Sequence, residues 1–130
     1  MSTEQLLHTW WAASATLNGL LDSAVLTTGK AQDENTTLPF ATLSRENNQD
    51  DHRTNCGRTD RGTFRVKLWH DSHALGQAIQ AALIAAWDNK TYDSGGVQIV
   101  SARRSNDFHF QEDDGVWQFV TDFEIKHREI

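Results

Sequence analysis

Between Thr3 and Leu21 the side chains Leu6, Leu7, Trp10, Trp11, Leu17 and Leu20 recur mostly at spacings of three and four, the period of an amphipathic helix. Ser2 or Thr3 is placed to cap that helix, and Asn18 and Gly19 are placed to end it. The polar stretch from Thr27 to Thr37 reads as a connection. From Pro39 to Arg45 the period changes to two. Phe40, Thr42 and Ser44 alternate with Ala41, Leu43 and Arg45, which predicts a first strand whose leading proline suits a sheet edge. Asn47 to Gly62, NNQDDHRTNCGRTDRG, shows no period and has Cys56 as its single apolar side chain, so it is expected to be a long mobile loop at 47–62.

Strict alternation returns from Thr63 to His70: Phe64, Val66 and Leu68 lie on one face, Thr63, Arg65, Lys67 and Trp69 on the other. Asp71 or Ser72 can cap a second helix, in which Leu75, Ile79, Ala82, Leu83 and Ala86 form one apolar stripe that ends near Trp87. After the turn DSGG, Val97 to Arg104 predicts a third strand. After an acidic turn, Gly115 to Lys126 predicts a fourth, with Trp117, Phe119, Thr121, Phe123 and Ile125 inward. The expected fold is therefore α+β: a four-stranded, mostly antiparallel sheet with two helices packed on one face, in the order α-β-β-α-β-β. The second and fourth strands carry the strongest apolar faces and are expected at the centre.

At 130 residues, with no internal repeat and no linker composition, the chain is expected to form a single domain spanning 1–130. Hydrophobic residues make up 38%, enough for one core. One cysteine cannot form an internal disulfide, and no apolar run is long enough to span a membrane, so a cytoplasmic setting and no membrane partner are expected. Twelve Lys and Arg against eighteen Asp and Glu give a net charge of −6, which disfavours specific nucleic-acid binding.

The search for chemistry yields little. His70 and His73 with Asp71 between them carry metal-ligand groups, yet they straddle a strand-to-helix junction rather than one helix face. Cys56 near His52 has the residue types of a thiol nucleophile, but in a polar loop without held geometry. Glu112, Asp113 and Asp114 lack the alternating oxygen ligands of a calcium loop and read as a solvated turn. Gly95 and Gly96 precede a strand, not a helix, so they are not a phosphate cradle. No catalytic, cofactor or metal site is expected. Trp69, opposite the apolar face of its strand, is either an exposed candidate assembly contact or buried under the first helix or a loop. Arg53, Arg58, Arg61, Arg103 and Arg104 join it as surface charges interspersed with acids.

Three segments in this order, LPFATLSREN, TFRVKLWHDSHALGQAIQAALIAAW and DDGVWQFVTDFEIKHRE, resemble the tail completion family of tailed bacteriophages, which includes head-to-tail joining and tail terminator subunits. The resemblance implies a structural subunit without chemistry of its own, acting by ring assembly on the tail tube. It implies a homo-oligomer, hexameric by that resemblance, with tail-tube or head-connector proteins as partners and DNA passing through the ring. Its place would be the virion, after assembly in the bacterial host cytoplasm. Glu112, Asp113 and Asp114 would then be candidate lumen-facing acids, since negative charge avoids holding DNA. The competing reading is a small α+β enzyme or ligand-binding protein with a pocket between sheet and helices, using His70, Asp71 or His109. The apolar filling of that face by Phe64, Val66, Leu68, Phe119, Phe123 and Ile125 argues for a packed core instead.

Overall fold

Ser2 begins the first helix, α1 (Thr3–Ala13), through a reciprocal box: its hydroxyl accepts from the Gln5 amide at 3.2 Å and its own amide donates to Gln5 Oε1 at 2.7 Å. The computed structural model describes residues 2–21, 26–28, 38–54 and 57–129, and the side chains of these except at 50–54, 57, 58 and 129. The predicted helix Thr3 to Leu21 is two helices. Ser14, in an extended conformation, closes α1 by donating to the Trp11 carbonyl and opens α2 (Ala15–Leu20) by accepting from the Leu17 amide at 3.3 Å. A serine that competes for backbone partners breaks a pattern whose apolar period alone reads as continuous, and Asn18 and Gly19 lie inside α2 rather than beyond it.

The strands are β1 (Leu26–Thr28), β2 (Phe40–Thr54), β3 (Gly57–His70), β4 (Lys90–Ser94), β5 (Val97–Gln111) and β6 (Trp117–Glu129), with α3 (His73–Trp87) between β3 and β4. They form one six-stranded sheet in the order β1-β2-β3-β6-β5-β4, mixed because β1 runs parallel to β2 while every other pair is antiparallel. The expected four-stranded sheet with two helices in the order α-β-β-α-β-β is thus corrected, among the described residues, to a curled, half-barrel sheet of six strands with three helices. β1 and β4 are too short to announce themselves as period-two runs. The third strand does not stop at Arg104 but continues to Gln111.

Of the stretch expected as a loop at 47–62, residues 47–54 and 57–62 are strand: β2 and β3 stay paired out to Thr54↔Gly57. Neither strand of this arm carries an alternating apolar run in sequence, so its strand character was invisible to periodicity. Cys56 lies outside the described residues, as does the His52 side chain.

β3 and β6 form the central pair, as their apolar faces require, with an unbroken register from Thr59↔Arg128 to His70↔Trp117. Their neighbours are irregular: register shifts fall between Arg45 and Asn47 and between Asp50 and His52 in β2, and between Ile99 and Ser101 and between Arg104 and Asn106 in β5. A bulge increases local twist, so a straight centre flanked by bulged strands curls at its margins.

All three helices lie against one face. There Trp10 stacks on Trp87 at 5.2 Å and on Tyr92 at 5.6 Å, Trp11 meets Trp87 edge-on, and Trp87 packs against Phe123 at 5.4 Å. This column ties α1, α3 and β4 to the central strand β6, around an indole that is fully buried. Where α3 crosses β6 the approach is closer still. A Cβ on Gly76 would sit 2.2 Å from Phe119 Cε2, so only glycine permits that crossing.

Gly76→Ala is expected to destabilise the protein by about 1–3 kcal/mol despite alanine's better helix propensity, and Phe119→Leu in the same chain should recover part of the loss. Thermal or urea unfolding of the single and double variants checks this; additive losses would show that the clash is not what matters. Burial lowers the pKa of His8 on α1. Its protonation therefore opposes folding, and stability should fall as pH drops through the ordinary histidine range near 6.5, less steeply in His8→Gln.

Candidate assembly surface

The face of the sheet away from the helices is built from the alternate residues of the same strands: Thr63, Arg65, Lys67 and Trp69 of β3 beside Glu124, Asp122, Val120 and Gln118 of β6. Arg65 and Asp122 are direct register partners and bond through two contacts, Nε to Oδ1 at 2.8 Å and Nη2 to Oδ2 at 3.1 Å. The hydrogen bond that Arg65 donates to Asp122 raises the Arg65 pKa above its ordinary value, against a smaller opposing effect of partial burial. Asp122 is only 6% exposed, so the fork satisfies a carboxylate that water barely reaches.

Towards the end of the sheet where β6 begins, the same face becomes aromatic. Trp69 stacks on its register partner Phe40 with ring centroids 4.8 Å apart, and its indole N–H donates to Glu112 Oε1 at 3.3 Å. Trp69 is therefore buried, covered by β2 and by the turn between β5 and β6 rather than by the first helix. The exposed aromatics of this face are Phe108 and Phe110, 41% and 43% accessible, opposite Val120 and Gln118 in the ladder. They stack on each other with centroids 6.3 Å apart. Sequence reasoning missed both because it ended the third strand at Arg104; the alternation Phe108-His109-Phe110 was the available signal of a continuing strand.

These two rings sit on a strand with a free margin. β4 pairs with β5 only as far as Ala102, so among the described residues 105–111 of β5 have a strand partner on one side only. At the opposite margin β1 covers β2 only from Ala41 to Leu43, leaving 44–49 of β2 likewise without an outer strand among the described residues. Asp88 Oδ1 accepts from the Arg104 amide at 2.8 Å and marks where the covered part of the β5 edge ends.

The remaining candidates are dispersed. Arg61 pairs with Glu124 at 3.4 Å in an open hollow with Asn47, Gln49 and Thr63, both charged groups well exposed. Arg53 and Arg58 are register partners near the tip of the β2–β3 arm, with side chains outside the described set. Arg103 and Arg104 are exposed on β5, and Arg104 reaches Asp107 at 3.4 Å. In the acidic turn, Glu112 holds Trp69 and Asp114 Oδ1 accepts from the Val116 amide at 3.0 Å, while Gly115 takes a positive φ of 85°. Asp113 is exposed.

The metal-type motif also comes apart. Nδ1 of buried His70 accepts from the Ser72 amide at 3.0 Å and so carries no proton of its own for Asp71, 3.1 Å away. His73 turns away to His109 instead. Among the described residues no group of three or more His, Cys, Asp or Glu side chains is arranged to hold a metal ion.

Among the described residues the sheet is packed on one face, has two margins without an outer strand and carries exposed rings beside one of them. The chain belongs to the family of tail completion protein gp17, whose family model matches residues 5–128. Its role is structural, in phage tail completion. Among solved structures, a chain of the virion of a native gene transfer agent particle superposes with a TM-score of 0.78 at 13% identity, over 98% of this chain and 95% of that one. A second solved chain matches with a TM-score of 0.57 at 15% identity, over 100% of this chain and 97% of that one. No curated protein matches.

Replacing Arg65 by Met should cost about 1–3 kcal/mol, because the nearly buried Asp122 carboxylate loses both of its charged bonds. Denaturant melts of Arg65→Met and of Arg65→Met/Asp122→Asn measure it, and a loss just as large with the uncharged partner would show that packing rather than charge is lost.

Proposed function

We propose that this chain is a non-enzymatic subunit that closes into a ring on the tail tube by joining the open β5 margin of one copy to the open β2 margin of the next. The observation that carries the reading is the pair of edges left uncovered among the described residues at opposite sides of one sheet, with Phe108 and Phe110 beside one of them. Unpaired backbone donors and acceptors can extend a sheet across a subunit boundary, and two different margins meeting make a heterologous contact, the kind that generates rings. The sheet twist sets a fixed rotation per copy, which is what allows closure. Family membership supports the tail setting, and the likeness of fold to a chain of a virion particle agrees with it.

In this ring, hexameric on the family resemblance, Arg61, Arg103 and Arg104 on the exposed strands, with Arg53 and Arg58 near the arm tip, supply rim contacts. Trp69 supports the aromatic patch from below. The acidic turn Glu112, Asp113 and Asp114 faces the passage for DNA, a placement supported by the net charge of −6. Head-connector or tail-tube proteins bind above and below, and the complex acts in the virion after assembly in the host cytoplasm. The pocket-based alternative loses its ground because the face it would use is filled: Phe64, Val66, Leu68, Phe119, Phe123 and Ile125 are all at most 4% exposed.

Light scattering after size exclusion, with and without tail-tube protein, should give a closed oligomer for wild type and monomer for Phe108→Lys/Phe110→Lys, whose melting temperature should stay within a few degrees because both rings are already half in water. A double variant that assembles like wild type, or a wild-type chain that stays monomeric under every condition, overturns the edge-joined ring. Neutralising Glu112, Asp113 and Asp114 should slow DNA delivery by assembled particles; unchanged delivery removes the acidic lumen.

A further inference from the structure

The pair His73 and His109 is not used by the assembly reading. His73 is the first residue of α3 and His109 lies on β5, on the helix-bearing face, opposite to that of Phe108 and Phe110. Their Nε2 atoms are 3.3 Å apart and their ring centroids 5.0 Å apart. Two imidazoles bound to one tetrahedral ion at about 2.0–2.1 Å each place their nitrogens about 3.3 Å apart and their centroids about 5.2 Å apart. A head-on N–H···N bond of the same length would hold the centroids at about 5.6 Å. The observed 5.0 Å is shorter than that head-on value and closer to the chelating one.

The surroundings hold the rings in place. His73 lies 4.5 Å from the Trp117 ring and His109 lies 5.4 Å from the Phe119 ring, so an apolar floor limits their swing. Gly76 lets α3 approach Phe119 closely at this same end, which fixes the helix start against β5. Both residues keep access to water, His109 being exposed and His73 half-buried, so an ion can enter without local opening.

We propose that His73 and His109 form a two-histidine site for a borderline divalent transition ion of the zinc, nickel or copper class, clipping the start of α3 to β5. Imidazole suits these ions and not magnesium or calcium, whose ligands are oxygens. Both Nε2 lone pairs face the ion, each ring keeps its proton on Nδ1, and water fills the other coordination positions. In the ion-free protein one Nε2 donates to the other, and on binding that proton moves to Nδ1.

Titrating the full chain with NiCl2 or ZnCl2, by calorimetry and thermal melts, is expected to show one ion per chain and a rise in melting temperature. Either His109→Ala or His73→Gln should weaken affinity by at least about tenfold. With CuCl2, electron paramagnetic resonance should show coupling to two nitrogens in wild type and one in His109→Ala. His109 is exposed, so its variant tests the site without risking the fold. Absence of binding at millimolar ion, or equal affinity in wild type and His109→Ala, overturns the site.

Discussion

The unbroken ladder between β3 and β6 is the constraint from which the rest of the molecule follows. Its register places Phe64 against Phe123 and Leu68 against Phe119 on one face, and Arg65 against Asp122 on the other. One strand pair thereby defines an oily side that must be covered and a side that holds itself together by charge-assisted bonds. The helices answer the first requirement. Nothing in the chain as described has to answer the second, because a fork between register partners satisfies its polar groups within the sheet.

Covering the oily side is an aromatic problem. Trp87 sits where α1, α3 and β6 converge, and its burial is complete enough that its indole nitrogen has no hydrogen-bond partner among the described residues. A buried donor without a partner costs on the order of 1–3 kcal/mol. The stacking with Trp10 and edge contacts to Trp11 and Phe123 must outweigh it, which large apolar area makes feasible at about 25 cal/mol per Å2. Helix placement is thus set by side-chain bulk at the Trp87 end of the buried face of α3 and by its absence at Gly76 near the other end.

The parts legible in the sequence are those where burial imposes a period. The alternation Phe64-Val66-Leu68, the stripe Ile79-Leu83 and the apolar face of β6 were all readable, and they assign the central pair correctly. What escaped was structure too polar or too short to show a period-two apolar run: the β2–β3 arm, the outer half of β5, and the short strands β1 and β4. There backbone pairing, not side-chain sorting, makes the strand, and composition reads as loop. The same physics hid the surface. Trp69, conspicuous in sequence, is buried by Phe40 and Glu112, whereas Phe108 and Phe110, embedded in polar residues, are the exposed pair. His73 was noticed with His70, its neighbour in sequence, while the fold gives it His109, a partner 36 residues away.

Open margins ordinarily endanger a soluble chain, since any extended peptide can add to them. Here the exposed stretches carry charges, Arg104 and Asp107 on β5 and Arg45 and Glu46 on β2, together with bulges that bend the strand locally. Such features raise the cost of indiscriminate pairing without closing the edge to a partner of matching curvature. In the proposed ring that selectivity is the point: a neighbour presents a margin with the same twist, and closure pairs each margin with another copy. The uncovered sheet is then less an unfinished core than a subunit whose last strands are supplied by its neighbours.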